Sequence, residues 1–265
     1  MGAVRAFING NIRLSHSFDK LLPAKLRVDG NRHFIECFAP RFLAEGQRVF
    51  DIGGGKNPYI SVDRKQELGL TVTALDIQAD EMARAPAGAY DESICADISS
   101  YRGNADADLV ICQALLEHVK DVGGAFEAIA SMLKPGGRAL IFVPSRNAVF
   151  ARLNLLLPQK IKERILFAIY PQTRRNQGFV SYYDRCTPRD FRRLGEGNGL
   201  VVEEAEYYFV SSYFRFFFPA YLLWRLWLLG FHAVAGNQAA ETFSMALRKP
   251  EEAQAKDPAM PTRSD

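Results

Sequence analysis

The chain has 265 residues, of which 48% are hydrophobic and 24% charged, and its formal net charge is +3. This composition is typical of a globular protein with one large hydrophobic core, and it excludes a mainly disordered or fibrous chain. The four cysteines are scattered singly, without a C-x-x-C pair or a histidine at metal-ligand spacing, which argues against disulfides and a zinc site. The sequence begins without the apolar run of a signal peptide, so we expect a cytoplasmic protein.

A buried strand that runs into three glycines is the first strong motif. Residues 1–46, which precede it, are mixed and moderately basic, and we predict helices there. Residues 48–52 have the short apolar run of a parallel strand that is covered on both faces. Gly53, Gly54 and Gly55 follow directly. Because glycine has no Cβ, this segment can turn sharply and approach a ligand closely.

An acidic residue ends the next predicted strand, residues 71–76. Asp76 follows Asp51 by 25 positions, where a carboxylate can bind both hydroxyls of a ribose. A dinucleotide fingerprint would need glycine or alanine at position 58, which is proline, so the helix cannot pack closely on the strand there. The two motifs therefore predict a nucleotide-like cofactor other than a dinucleotide.

The pattern from Asp51 to Asn57 resembles motif I of the class I S-adenosylmethionine-dependent methyltransferases, whose usual form is acidic-x-Gly-x-Gly-x-Gly. Asn57 replaces the last glycine. Asparagine tolerates a left-handed backbone better than most residues, so this departure is mild. A glycine-rich turn of another α/β fold remains the alternative for this motif alone.

The resemblance extends over residues 48–145. Residues 93–98 resemble the third strand, residues 108–119 the fourth strand with its turn, and residues 125–144 a helix, a Lys-Pro-Gly-Gly turn and the fifth strand. Residues 200–210 and 241–249 are predicted as strands six and seven. The resemblance implies an α/β fold with a Rossmann-like, seven-stranded mixed sheet flanked by helices. Its last strand is antiparallel, and helical inserts follow strand five and separate strands six and seven.

The same resemblance implies the domain boundaries. Residues 1–46 would form a helical segment that caps the cofactor site, and residues 47–249 the methyltransferase domain. This domain contains a basic insert, residues 146–193, and an aromatic and apolar insert, residues 213–236. Residues 250–265 are polar and rich in proline, and we expect them to be a disordered tail.

S-adenosylmethionine is the cofactor that the resemblance implies. Its methionine part would contact the segment from Asp51 to Gly55, its ribose Asp76, its adenine Asp97 with Ile98, and its sulfonium end Gln113. The implied cofactor-binding residues are Asp51, Gly53, Gly54, Gly55, Asp76, Ile77, Asp97, Ile98 and Gln113. The alternative for each carboxylate is a turn or strand end in which backbone amides satisfy it.

His118 is the first candidate for a catalytic base, since an unperturbed histidine pKa of about 6.5 suits proton removal at neutral pH. The alternative is a packing role after strand four. Tyr183 and Asp184 are further catalytic candidates, and Arg146 and Arg185 could bind phosphate or carboxylate of an acceptor through bidentate hydrogen bonds.

A metal is not expected. Some relatives bind a divalent ion through Glu-x-x-Glu-His, but this chain has Ala114 at the first position. Glu117 and His118 alone are too few ligands for a convincing site.

Residues 138–193 contain twelve Lys or Arg and three acidic residues, a net charge of +9. The cations alternate with apolar residues in 149–158 and 161–170, as in helices that lie on membranes. We therefore expect an anionic partner, either an acceptor molecule or a membrane surface.

Residues 216–235 are apolar over a length that could nominally span a bilayer. Arg225 argues against spanning, because a cation at the membrane centre costs roughly 2.5 to 3.5 kcal/mol. Trp224, Trp227 and Arg225 favour a helix in the headgroup layer. The alternative is that these side chains cover a sheet face or a dimer interface.

The residues at the end of the fourth strand restrict the class of molecule that accepts the methyl group. Cys112-Gln113-Ala114-Leu115 is not the Asn/Asp-Pro-Pro-Tyr/Phe turn of nucleic-acid amino-methylation, and Cys112 lacks the preceding proline of a nucleophilic cysteine. Nucleic acid is therefore not expected as a partner, and Cys112 is predicted as a core residue.

The whole-chain pattern is similar to methyltransferases of bacterial surface-glycan biosynthesis. It predicts O-methylation of an anionic small molecule, or of a lipid-linked or nucleotide-activated glycan, at the cytoplasmic membrane face. Methylation of a quinone precursor or a lipid headgroup is the nearest alternative. A noncatalytic S-adenosylmethionine-binding protein is the alternative of a different class.

Overall fold

One mixed sheet of seven strands organises the protein, whose computed structural model describes residues 2–157, 180–211 and 214–251. The strands are ordered β3-β2-β1-β4-β5-β7-β6, and β7 is antiparallel to both of its neighbours while the other pairs are parallel. Their bounds are β1 Arg48–Ile52, β2 Thr71–Asp76, β3 Glu92–Cys95, β4 Ala107–Gln113, β5 Leu133–Pro144, β6 Val201–Tyr208 and β7 Thr242–Arg248. The predicted Rossmann-like fold is confirmed.

Helices cover both faces of the sheet and its carboxyl edge. They are α1 Gly2–Asp19, α2 Gly30–His33, α3 Val62–Glu67, α4 Ala79–Met82, α5 Val122–Met132, α6 Val149–Leu156, α7 Pro188–Gly197 and α8 Phe218–Ala235. Short 3-10 turns at Leu116–His118 and Gly236–Ala239 follow β4 and α8. Helix α6 follows β5, and α8 connects β6 to β7, at the two places where the sequence predicts inserts.

The start of α7 shows how local sequence fixes a boundary. Thr187 is the N-cap, and its Oγ1 accepts a hydrogen bond from the Asp190 amide at 3.1 Å. Pro188 occupies the first helical position, where its missing N–H has no helical partner in any case.

The largest core cluster lies between the sheet, α5 and α7. Phe191 packs edge-to-face against Phe126 and against Phe243, with ring centroids 5.1 Å apart in both pairs. Cys112 of β4 is fully buried in this cluster, which confirms it as a core residue. On the other sheet face, Phe34 and Phe38 pack with Phe142 in a second cluster.

Two element boundaries differ from the expected ones. Strand β3 ends at Cys95, so Asp97 lies in the following turn, where its Oδ1 accepts hydrogen bonds from the amide and hydroxyl of Ser99. Strand β5 already begins at Leu133. Its pairing with β4 passes from Leu133 to Arg138, so the Lys-Pro-Gly-Gly turn is an excursion within the strand rather than its start.

The aromatic helix α8 is only partly as expected. Tyr221, Trp224 and Arg225 are buried, so the expectation that the Trp, Tyr and Arg side chains face lipid together is wrong for these three. They are buried because α1 and the end of β6 pack against this face, whereas Trp227 is 43% exposed. Within the described ranges, no helix combines the length and the apolar character that a bilayer crossing requires.

The carboxyl edge of the parallel strands is where the connections and the N-terminal segment meet. Gly30 lies so close to the end of β6 that a Cβ there would come within 2.5 Å of the Tyr208 ring. Parts of two expected segments lie outside the described residues: positions 158–179 of the basic insert and positions 252–265 of the tail.

Candidate active site

The three glycines after β1 are required by the geometry of this loop. Gly53 and Gly55 have φ angles of 76° and 49°, a region that side chains strongly disfavour. A Cβ on Gly54 would lie 2.5 Å from Asp51 Oδ2 and 2.7 Å from the Tyr90 hydroxyl. The loop is therefore a tight cradle in which any side chain would displace its neighbours.

Asp51 stabilises the glycine loop through a hydrogen bond to its side chain. Its side chain is buried, and Oδ2 accepts a hydrogen bond from the Tyr59 amide at 2.8 Å. Burial raises the Asp51 pKa to about 6, while the Tyr59 amide and the Tyr90 hydroxyl lower it. In the described part of the chain, no cation forms an ion pair with Asp51.

Asp76 lies at the end of β2 and faces the same loop. A Cβ on Gly55 would be 3.4 Å from Asp76 Oδ2, and Asp76 Oδ1 accepts a hydrogen bond from the Gln78 amide at 2.9 Å. Burial raises the Asp76 pKa, and the nearby Glu81 raises it further. Ile77, the next residue, is 60% exposed, so an apolar surface adjoins the carboxylate.

Gln113 ends β4, on the other side of β1. Its Nε2 donates a hydrogen bond to Asn31 Oδ1 at 2.9 Å, which joins the N-terminal segment to the site. Asp51, Asp76 and Gln113 thus lie at the carboxyl ends of three adjacent strands, β1, β2 and β4. The strand order reverses here, and open α/β sheets bind ligands at such a point.

Asp97 and Ile98 follow the next strand, β3. Ile98 is buried in the main core cluster, and Asp97 is exposed in its turn. Sequence reasoning missed three residues of this edge: Asn31, Tyr59 and Tyr90. No local signal marks Asn31 and Tyr90, because each reaches the site from an element outside the motifs, whereas Tyr59 follows the glycine motif directly and contributes its backbone amide.

His118 lies in the short 3-10 turn after β4. Its Nδ1 is 3.1 Å from the Val180 carbonyl oxygen and 3.3 Å from the Ser181 hydroxyl. A carbonyl oxygen can only accept, so the neutral ring carries its proton on Nδ1 and its basic lone pair on Nε2. Nε2 faces Glu117, whose Oε1 is 3.8 Å away.

Glu117 is the second buried carboxyl group without a cation. Burial raises its pKa to about 8, so the group is neutral at pH 7. Its Oε2 has no hydrogen-bond partner among the described residues. The Glu117 backbone oxygen accepts from the amides of Tyr182 and Tyr183 at 2.8 and 3.0 Å, so the turn after β4 is fixed to residues 180–187.

The other residues predicted to act in catalysis or to bind the methyl acceptor lie around residues 180–187. The Tyr183 side chain is buried in the main core cluster, and Asp184 Oδ2 accepts a hydrogen bond from the Val122 amide at the start of α5. Arg185 forms ion pairs with Asp121 at 3.2 Å and Asp184 at 3.3 Å. Arg146 is exposed, and its backbone amide donates to the Cys186 carbonyl. Their catalytic and acceptor-binding roles stay predictions.

A sheet of this order, with a glycine cradle after β1 and a carboxylate ending β2, defines a class I S-adenosylmethionine-dependent methyltransferase domain. The glycine cradle, the half-buried Asp76 and the exposed Ile77 fit a nucleoside with a charged tail. The model of the methyltransferase domain family matches residues 24–205, which is more than half of the chain. The chain belongs to this family, and its cofactor is S-adenosylmethionine.

Two relatives are both named ubiquinone biosynthesis O-methyltransferase. The protein of Aeromonas salmonicida (strain A449) is 27% identical over 166 residues, which cover 60% of this chain and 65% of that protein. The protein of Chelativorans sp. (strain BNC1) is 29% identical over 202 residues, which cover 74% of this chain and 75% of that protein. The match therefore spans less than two thirds of the Aeromonas protein.

Solved structures show the same fold at low identity. An S-adenosylmethionine-dependent methyltransferase from Mesorhizobium loti has a TM-score of 0.54 at 17% identity, with 84% of this chain and 99% of that chain covered. Phosphoethanolamine N-methyltransferase 2 of Haemonchus contortus, in complex with S-adenosyl-L-methionine, has a TM-score of 0.52 at 17% identity. It is covered to 61%, and this chain to 95%.

Proposed function

We propose that the chain transfers a methyl group from S-adenosylmethionine to a hydroxyl oxygen of an amphiphilic small molecule, and that this acceptor is a quinone precursor. The observation that carries the proposal is the name shared by the relatives at 27 and 29% identity, ubiquinone biosynthesis O-methyltransferase. A phenolic hydroxyl needs a base and an alignment with the cofactor, and the edge at β1, β2 and β4 offers groups for both.

The cofactor is assigned to this edge residue by residue. The cradle of Gly53, Gly54 and Gly55 receives its methionine part, and the Asp76 carboxylate accepts the two ribose hydroxyls. Adenine lies against Ile77 and Ile98, with its amino group toward Asp97. Gln113 adjoins the sulfonium end, and Asp51 keeps the cradle in shape through the Tyr59 amide.

S-adenosylmethionine supplies an electrophilic methyl group, so the protein mainly aligns the acceptor and removes its proton. His118 is the proposed base, acting through Nε2. The Val180 carbonyl fixes the tautomer that leaves the basic lone pair on this nitrogen. Once Nε2 is protonated, its charge 3.8 Å from Glu117 would favour ionisation of this carboxyl group, which is neutral beside the uncharged ring.

The test uses the full chain, methyl-labelled S-adenosylmethionine and a polyprenylated catechol dispersed in a nonionic detergent. We expect a labelled methyl ether in the organic phase. His118→Gln should lower kcat by about 10²- to 10⁴-fold and leave cofactor affinity unchanged, as loss of a general base does. His16→Gln, which changes an exposed histidine of α1, is the matched control. Absence of any methyl ether would contradict the proposed acceptor, and full activity of His118→Gln would remove His118 as the base.

A lipid-linked or nucleotide-activated glycan is the second candidate acceptor. It is supported by Arg146, which is exposed beside residues 183–186 and has no carboxylate in ion-pair contact within the described ranges. Arg185 is less suited, because Asp121 and Asp184 already neutralise it. Label in a phosphorylated glycan, with a KM that rises in Arg146→Gln, would favour this acceptor. A noncatalytic protein would bind the cofactor and label neither acceptor.

A further inference from the structure

Helix α8 has an exposed face made only of apolar residues. Leu223, Leu226, Trp227 and Val234 are 70, 54, 43 and 90% exposed. The exposed positions recur at intervals of three and four residues, so they form one stripe along the helix. The stripe consists of Leu223, Leu226, Trp227, Gly230, Ala233 and Val234. We call it the α8 stripe.

The opposite face of α8 is anchored in the protein. Arg225 is fully buried and donates to Asp19 Oδ1 at 3.1 Å and to the carbonyl oxygens of Phe209 and Leu26. The Tyr221 hydroxyl donates to Asp19 at 2.6 Å. These contacts fix the rotation of α8 about its axis, so the α8 stripe is held outward.

Further exposed apolar residues lie on the helix next to α8. Helix α1 runs beside it, with Asn11 Oδ1 accepting from the Phe218 amide at 2.8 Å and Asp19 contacting Arg225. Phe7 and Leu14 of α1 are 58 and 54% exposed. The α8 stripe together with exposed apolar residues on the neighbouring helix exceeds the isolated hydrophobic residues of an ordinary surface.

The segments around the α8 stripe carry mainly positive charge. The segments 2–28, 146–157 and 214–240, which contain α1, α6 and α8, hold nine Lys or Arg and a single acidic residue, Asp19. Asp19 is buried and paired with Arg225 and Arg215, so seven of these nine cations lie outside that pair. An apolar strip among cations, without an exposed acid in these segments, is complementary to an anionic lipid surface. Protein partners usually present both charge signs, which these segments would not match.

The stripe also belongs to the edge of the sheet that carries the cofactor site. Helix α8 leaves the carboxyl end of β6, and α6 leaves the carboxyl end of β5. Both parallel strands end at the same edge as β1, β2 and β4. Val149 at the start of α6 packs against the cluster under α8, so α6 and α8 are neighbours there.

We propose that the α8 stripe lies in the headgroup layer of an anionic membrane and holds the carboxyl edge of the sheet at that surface. The bilayer supplies anionic lipid headgroups to the cations and an apolar boundary to Leu226 and Trp227. The link to catalysis rests on the proposed amphiphilic acceptor, since such a molecule would be reached from the membrane. Binding to the bilayer itself needs neither cofactor nor acceptor.

Vesicle sedimentation tests this surface with the full chain. The vesicles contain phosphatidylglycerol and phosphatidylcholine in equal parts, and a second set contains phosphatidylcholine alone. We expect binding to the anionic set, at least tenfold weaker binding to the neutral set, and at least a tenfold loss of anionic binding in Leu226→Gln/Trp227→Gln. Val201→Gln is the matched control, because Val201 is 48% exposed but begins β6 at the opposite edge.

Tryptophan fluorescence gives a second measurement on the same samples. Brominated phosphatidylglycerol should quench wild-type emission, since Trp227 is exposed on the stripe, and should quench Trp227→Gln far less, since Trp224 is buried. Equal binding of the double variant, equal binding to both vesicle sets, or a wild-type dimer that the double variant abolishes would each overturn the proposal.

The docking proposal and the proposed acceptor can be contradicted independently of each other. If the protein binds anionic vesicles but labels no quinone precursor, the docking surface stands and the acceptor is wrong. If it labels the precursor in detergent but does not bind vesicles, the acceptor stands and the docking proposal is wrong.

Discussion

Two regions of the protein contain buried carboxyl groups, and these groups differ in whether a cation pairs with them. Beneath α8, Asp19 is buried with a full set of partners, Arg225, Arg215 and Tyr221. At the carboxyl edge, Asp51 and Glu117 are buried with no Lys or Arg of the described residues in ion-pair contact, and burial raises their pKa values to about 6 and about 8. The first arrangement stabilises a charge within the protein, whereas the second leaves groups whose charge depends on what binds there.

Whether a buried charged group has a partner separates structural from functional residues better than the residue type does. Arg225 is a cation in an aromatic helix, and its partners show that it joins α8 to α1 rather than to a ligand. Glu117 is a carboxyl group beside a candidate base, and its Oε2 has no hydrogen-bond partner in the part of the chain that the structure describes.

The largest effect is expected from a substitution that removes the buried ion pair between Arg225 and Asp19. Arg225→Ala leaves Asp19 buried with much of its compensation removed, and we expect a loss of about 3 to 5 kcal/mol in the free energy of unfolding. Urea denaturation followed by circular dichroism measures it. Arg41→Ala is the matched control, because its ion pairs with Glu204 and Glu206 are partly exposed and should contribute less than about 1 kcal/mol. Equal stability losses would contradict the contrast.

A smaller effect is expected at the carboxyl edge, and on binding rather than on stability. Asp76→Ala should weaken S-adenosylmethionine binding by about 1 to 3 kcal/mol, because charge-assisted hydrogen bonds to the ribose are lost. Titration calorimetry measures the affinity, with Asp63→Ala, an exposed aspartate of α3, as the control. Unchanged affinity in Asp76→Ala would exclude Asp76 from the site.

The smallest effect concerns the pH dependence of stability. Glu117 keeps its proton in the folded state up to about pH 8 but loses it above its usual pKa in the unfolded state, so its protonation stabilises the fold at low pH. Stability should fall as pH rises from 6 to 8, by up to about 1 kcal/mol per pH unit from this group.

Glu117→Gln should flatten this slope, because glutamine does not titrate. Thermal unfolding at several pH values measures it, and Glu45→Gln, an exposed glutamate, should keep the wild-type slope. Asp51 and Glu241, whose pKa values are raised to about 6 and about 7, leave a residual slope below pH 7. An unchanged slope between pH 7 and 8 would show that Glu117 is ionised in the folded protein.

The carboxyl edge could be predicted from sequence because its information is local. The strand before Gly53, the glycines and Asp76 follow each other within one βαβ unit, so spacing alone indicates the turn and the strand end. The cap of α7 at Thr187 is local in the same sense, because Thr187, Pro188 and Asp190 lie within four residues.

The region beneath α8 could not be predicted in this way. The burial of Arg225 depends on Asp19, 206 positions earlier in the chain, and no periodicity within α8 signals that contact. The same holds for Tyr90 and Asn31, which reach the site from separate elements. The sequence therefore favoured a helix in the headgroup layer and kept a packing role as the alternative, and the structure buries Trp224 and Arg225 within the protein.

A crystal structure of the full chain with S-adenosylhomocysteine would test most directly that the cofactor binds at the carboxyl edge near Asp51 and Asp76, and not near the Asp19–Arg225 ion pair beneath α8. We predict the homocysteine part along Gly53 to Gly55, both ribose hydroxyls within 3.2 Å or so of Asp76, and no ligand contact with Asp19 or Arg225. A ligand bound away from β1, β2 and β4, or an Asp76 carboxylate turned from the ribose, would contradict the assignment.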